Sequence, residues 1–406
     1  MNYLELYEYL KNNVTYEPDV LRLEQGLTLK NYEFVSKTSL TSPNTPSAFD
    51  GEPGINPALA EEMVAFDETP DVLTLFGTDD DDIEENRRFL YHVLGPEDPA
   101  EGAIILLHGF NERHWDKYLP MAVRLYELTG RAVVLFPIAF HMNRSPSTWH
   151  DARTMQKVSR YRKKLFPDII CSTLSNAAIS VRLHADPARF FWSGHQSYED
   201  LVTVAGQIRA GTHPAFKTGA SINFFTYSIG TLLGEIIMMT NPEGLFSESK
   251  FVTFCGGPVF NRLSPVSKFI LDSEANVRLY SFLVEHLDSH RRHDQKLDQL
   301  LGQTEVGLNF RALLNYRLDL NYREDKFRSL APRILAVALA QDEVVPPFEV
   351  INTLQGSRRN LGVKVEVIDF PYPYRHEDPF PASAKHEDSV NYWFNRLFAG
   401  FSDFLK

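Results

Sequence analysis

Short, predominantly apolar runs recur along this 406-residue chain, separated by longer stretches in which apolar residues return every three or four positions. The runs are 103–107, 132–136, 220–227, 251–254 and 333–340. Each is too short for a buried helix, so each predicts a strand covered on both faces. Residues 87–94 and 363–370 read as two further strands flanking the series. Helices are predicted over 115–128, closed by Gly130, over 197–210, over 229–239, and from Pro346 to about 360. A last helix carries Val390, Trp393, Phe394, Leu397, Phe398 and Phe401 on one face. Strand, helix and strand joined by short links imply parallel strands with crossover helices, an α/β doubly wound, mostly parallel sheet.

Three regions fall outside that rhythm. Residues 1–85 form an N-terminal extension expected to pack on the core. There Leu4, Tyr7 and Leu10 can share a helix face, 41–57 is rich in Ser, Thr, Pro and Gly, and 79–82 is an acidic run followed by Glu84 and Glu85. The run lacks the glycine and alternating ligands of a calcium loop and reads as a solvated turn. Residues 138–194 read as an insertion in the first part of the core, 86–258. Its Lys157, Arg160, Arg162, Lys163 and Lys164 suit a solvated helix face. Residues 259–330 contain helix formers and no strand, so they read as a helical cap before the last part of the core, 331–406. His290 and His293 within it are three apart with no third ligand nearby, which fits a polar helix face.

The chemistry concentrates around Ser228. An apolar strand runs straight into it and an apolar helix leaves at once, so the chain must reverse at the serine itself. Such a turn lifts the hydroxyl above the sheet, with Gly230 leaving room for the backbone and the N–H of Ile229 free to meet an oxyanion. Thr226 stands where Gly-x-Ser-x-Gly has its first glycine, and a serine that merely caps a helix is the alternative reading. A serine nucleophile needs a base and an orienting carboxylate. Asp342 follows the apolar run 333–340, and His376 follows the last strand by a few residues. His386 is a rival base that lies further on, where the last helix begins. Asp378 and His108 read as loop-surface and structural residues.

Leu107-His108-Gly109-Phe110, Tyr227-Ser228-Ile229-Gly230, the stretch from Ala340 through Asp342 to Pro346, and His376-Glu377-Asp378-Pro379-Phe380 together resemble the α/β-hydrolase superfamily. The resemblance covers about 103–406 and suggests a bacterial, esterase- or lipase-like branch. It implies Ser228 as nucleophile, His376 as base, Asp342 as orienting acid, and the N–H groups of Phe110 and Ile229 as an oxyanion hole. The implied activity is hydrolysis of a carboxylic ester on a small-molecule substrate; a catalytically silent binding or scaffold protein is the alternative. No metal or organic cofactor is implied.

Composition adds limits. A net charge of −12 disfavours nucleic acid or an anionic membrane as partner. No apolar stretch is long enough to span a bilayer, no signal peptide is visible, and the two cysteines, Cys171 and Cys255, form no disulfide framework. A cytoplasmic protein is the expectation; oligomeric state is left open.

Overall fold

The computed structural model of the chain describes residues 1–39 and 80–406; the stretch 41–57 and Asp79 lie outside them. One nine-stranded sheet has the order β1-β2-β3-β5-β4-β6-β7-β8-β9. Its strands are β1 (Val20–Arg22), β2 (Thr28–Val35), β3 (Arg88–Gly95), β4 (Ala100–Leu107), β5 (Ala132–Phe136), β6 (Phe216–Tyr227), β7 (Phe251–Phe254), β8 (Ile334–Leu339) and β9 (Lys364–Ile368). Pairings from β5 through β9 are parallel, whereas β1, β2 and β3 join antiparallel at one side. This is a doubly wound sheet of the α/β-hydrolase type.

The period-2 geometry of the strands sorts their side chains into two cores. Ile104, Leu106, Val133, Leu135, Phe225 and Phe254 face α1 (Tyr3–Asn13), α2 (Tyr118–Thr129) and, from the chain's end, the helix Glu387–Leu405. Ile105, Leu107, Val134, Phe136 and Phe224 face the other side. That side is covered by α3 (Ala152–Leu165), α4 (Ala177–Ala185), α5 (Arg189–Ala210) and α6 (Ile229–Thr240). Between β7 and β8 it also receives α7 (Ser273–Tyr280), α8 (Leu287–His293), α9 (Gln295–Gln303), α10 (Glu305–Ala312) and α11 (Leu320–Leu330). Then come α12 (Pro347–Leu354) and α13, the closing helix already given.

Several expectations are corrected by this arrangement. Helix α1 exists, but its buried stripe is Tyr3, Leu6 and Leu10 rather than Leu4, Tyr7 and Leu10. Helix α5 begins at Arg189, not Ser197. Ser197 sits inside it, donating to the Ser193 carbonyl at 2.8 Å and accepting from the Ala139 N–H at 2.9 Å. Asp80 is buried beside Arg182 and Arg189 instead of lying in a solvated turn. Arg162 leaves the basic face of α3 to form a buried, two-pronged pair with Asp272, at 2.6 and 2.7 Å. Cys255 is buried, while Cys171 is only half-buried.

Candidate active site

The carboxyl ends of β4, β6, β8 and β9 open on one edge of the sheet, where a doubly wound fold has its crevice. Ser228 follows β6 directly, with φ 55° and ψ −123°. A residue bearing a Cβ holds such a backbone at a cost of about 1–3 kcal/mol, so the surroundings must enforce it. Gly230 is one reason they can. A Cβ there would stand 2.7 Å from the carbonyl oxygens of both Leu107 and His108, so only glycine lets α6 seat against the end of β4. Thr226 is accommodated from the helix side. A Cβ on Gly234 would meet the Thr226 methyl at 3.0 Å and the Phe251 ring at 2.6 Å, so here the glycine that brings strand and helix together lies on the helix. Thr226 Oγ1 also pairs with Thr231 Oγ1 and the Val252 carbonyl.

Ser228 Oγ lies 2.7 Å from His376 Nε2, and His376 Nδ1 lies 2.8 Å from Asp342 Oδ2. Asp342 Oδ1 accepts the backbone N–H groups of Val344 and Val345, at 2.9 and 2.8 Å. A carboxylate only accepts, so this arrangement suits the tautomer with the His376 proton on Nδ1, which leaves Nε2 able to accept from the serine hydroxyl. His376 and the Asp342 side chain are buried. His386 lies away from the serine, at the start of α13 and stacked against Tyr372. Asp378 is exposed and makes a backbone bridge to Arg375, in keeping with a loop-surface residue.

Residues without a motif of their own hold this geometry. The Tyr227 hydroxyl donates to the His376 carbonyl from beneath the site. Tyr118 accepts the Gly109 N–H at 2.8 Å and donates to Glu112 at 2.9 Å, while Lys117 reaches Glu112 and, at 3.0 Å, the Glu377 carbonyl. One lysine thus ties the His108–Phe110 loop to the His376 loop. His108 itself is wholly buried: Nδ1 donates to the Gly109 carbonyl, and Nε2 accepts from Ile138 N–H at 2.9 Å. Burial, with His141 nearby, drives its pKa well below the ordinary value, so it is a neutral strut. Neither the Phe110 nor the Ile229 N–H has a protein acceptor among the described residues. Their local sequence gave Tyr118 and Tyr227 no signal beyond position next to the His-Gly loop and the serine.

Three cavities meet at Phe110. One, about 50 Å³ and apolar, contains Ser228 and runs toward Pro265 and Leu279. A second, about 70 Å³ and apolar, shares Phe110, Phe190, Ile229 and Leu232 with the first and continues along α6. The third, about 520 Å³ with a lining that mixes polar and apolar groups, lies between α1 and the loops carrying Glu112 and Glu377. Among the described residues no three His, Cys, Asp or Glu side chains are grouped as a metal ion requires. Nor is any helix among them long and apolar enough to cross a membrane.

No curated protein matches the sequence. Among solved structures, carboxyl esterase 2 from the mycorrhizal fungus Tuber melanosporum is similar at 12% identity and a TM-score of 0.43, over 79% of this chain and 82% of that one. A thermostable esterase from Pseudomonas putida is similar at 9% identity and a TM-score of 0.42, over 100% and 97%. The monoacylglycerol lipase of Paleococcus ferrophilus is similar at 12% and 0.38, over 76% and 98%. Likenesses this distant carry no argument about activity; the fold rests on the strand order described above. The family model for a family of unknown function, DUF6051, matches residues 1–406, and the chain belongs to that family.

Proposed function

We propose that this protein is a serine hydrolase of the acyl-transfer type, acting on a carboxylic ester. The observation that carries the reading is the hydrogen-bond series Ser228–His376–Asp342, at 2.7 and 2.8 Å, built on a serine with φ 55°. Ser228 Oγ attacks the ester carbonyl carbon while His376 Nε2 takes its proton. Charge then develops on the carbonyl oxygen, where the Phe110 and Ile229 N–H groups are positioned to receive it. His376 returns the proton to the departing alkoxide, leaving an acyl-serine. Water, deprotonated by the same nitrogen, attacks that ester and regenerates the hydroxyl. Asp342 stays ionised throughout and stabilises the imidazolium.

Helices α7–α11 are read as a cap over this site, since Leu300, Val306 and Phe310 line one apolar cavity and Leu279 lines the other. Residues 1–39 are read as an extension that buttresses the core, α1 packing on one face and β1 and β2 lengthening the sheet. The test is labelling with a fluorophosphonate probe. Wild type should be labelled and Ser228→Ala should not. A folded wild type that takes no label supports the catalytically silent alternative.

A further inference from the structure

The apolar cavity along α6 has more structure than a packing defect would have. Ile229, Leu232, Leu233 and Ile236 line it from a single helix face, with spacings of three, one and three residues. From Ile229 to Ile236 the helix rises about 10 Å, so the cavity is a channel leading away from the oxyanion loop. No Asp, Glu, Lys or Arg borders it. Its two histidines, His141 and His195, are each lowered to about 4 by burial and are neutral at physiological pH.

Gly194 supplies an independent observation. It lies inside the 22-residue helix α5, where glycine is the poorest choice short of proline. Packing does not explain it: a Cβ at Gly194 meets nothing within 4 Å, although the residue lines the channel. By contrast, Gly307 on the opposite wall is required, because its Cβ would stand 2.0 Å from the Leu300 carbonyl oxygen. A side chain at Gly194 would therefore enter space beside the channel that holds no protein atom.

Resting on the hydrolase reading, we propose that this channel takes the acyl chain of the substrate, that the preferred chain is linear, unbranched and of medium length, and that Gly194 keeps the channel open to that length. An octanoyl-sized chain fits the rise along α6. Shorter chains leave apolar wall uncovered, and much longer ones overrun Ile236.

The experiment measures kcat/KM on p-nitrophenyl acetate, butyrate, octanoate and palmitate for wild type, Gly194→Leu and Gly206→Leu. Gly206 is the control: it lies in the same helix with equally open surroundings, but it lines none of the cavities described. With each buried methylene contributing about 3- to 4-fold, wild type should favour octanoate over butyrate on the order of 100-fold and lose the gain at palmitate. Gly194→Leu should cut the octanoate-to-butyrate ratio at least about 10-fold, and Gly206→Leu should keep the wild-type ratio. Ester hydrolysis with a flat profile, a profile still rising at palmitate, or an unchanged ratio in Gly194→Leu overturns the proposal while leaving the hydrolase reading intact. If no ester is turned over, calorimetric binding of methyl octanoate to Ser228→Ala, with and without Gly194→Leu, decides. Binding lost with the leucine supports the channel apart from catalysis, and no binding in either overturns it.

Discussion

Replacing Asp342 by Asn changes one atom and sets up a choice the structure resolves. Oδ1 accepts two backbone N–H groups, from half-buried Val344 and buried Val345, and Oδ2 faces the His376 Nδ1. An asparagine can present its oxygen to the backbone or to the histidine, but not to both. Turning the oxygen to the histidine aims an NH2 group at two N–H donors and leaves both unsatisfied, at about 1–3 kcal/mol each. The amide therefore keeps its oxygen on the backbone and donates from nitrogen to His376 Nδ1. That histidine must then carry its own proton on Nε2, where it can no longer accept from Ser228. The same wrong-tautomer outcome costs about 10⁴-fold in kcat, or roughly 5 kcal/mol of barrier, in a serine hydrolase. Stability should change little, by about 1 kcal/mol. The assay is kcat on an activated ester with a parallel thermal melt. Retention of activity within about tenfold, in a protein of near wild-type Tm, would refute the tautomer argument.

Three further outcomes can be checked. Glu235 on α6 is buried with neither carboxylate oxygen partnered, and burial drives its pKa well above the usual value, Arg323 offsetting part of that. At low pH both folded and unfolded chains hold its proton. As pH rises the unfolded chain ionises first, so stability is lost progressively up to the folded-state pKa; Glu235→Gln should flatten this decline in urea midpoints measured with rising pH. Gly230→Ala drives a methyl onto two carbonyl oxygens and shifts the serine turn, so activity should fall about 100-fold or more while far-UV dichroism stays native. Asp272→Ala leaves Arg162 buried without its carboxylate and uncaps α7, which should cost about 3–5 kcal/mol in urea unfolding.

The strands legible as apolar runs are those buried on both faces, because burial on both sides forces a largely apolar sequence; β9 was read as well, although its side chains are half-exposed. β5 and β7 fall on the runs read from the chain. β1 and β2 escaped because they sit at the antiparallel side with half-exposed side chains and a mixed pattern. Ser197 misled because the same hydroxyl that caps a helix can also bond back one turn inside it. Arg162 and Asp80 were read as solvated for a different reason: their ionic partners lie about a hundred positions away, and no local pattern announces them. The site divides along the same line. Ser228, Asp342 and His376 each stand just beyond a strand, so parallel order alone sends them to one edge. The choice between His376 and His386 depends on how a loop folds back, and the roles of Tyr118, Tyr227 and Lys117 on contacts made only in three dimensions.

Helix α1 has a consequence for the order in which the site can assemble. The Tyr3 hydroxyl donates to the Phe380 carbonyl at 2.8 Å, the Tyr3 N–H donates to Asn391, and Asn2 donates to Glu387. Residues nearly four hundred positions apart thus complete one packing surface. Their meeting adds a further hold on the loop that presents His376, beside those from Tyr227 and Lys117. A folding chain can form β6, present Ser228 and still lack a held base, so the nucleophile stays dormant until the His376 loop docks.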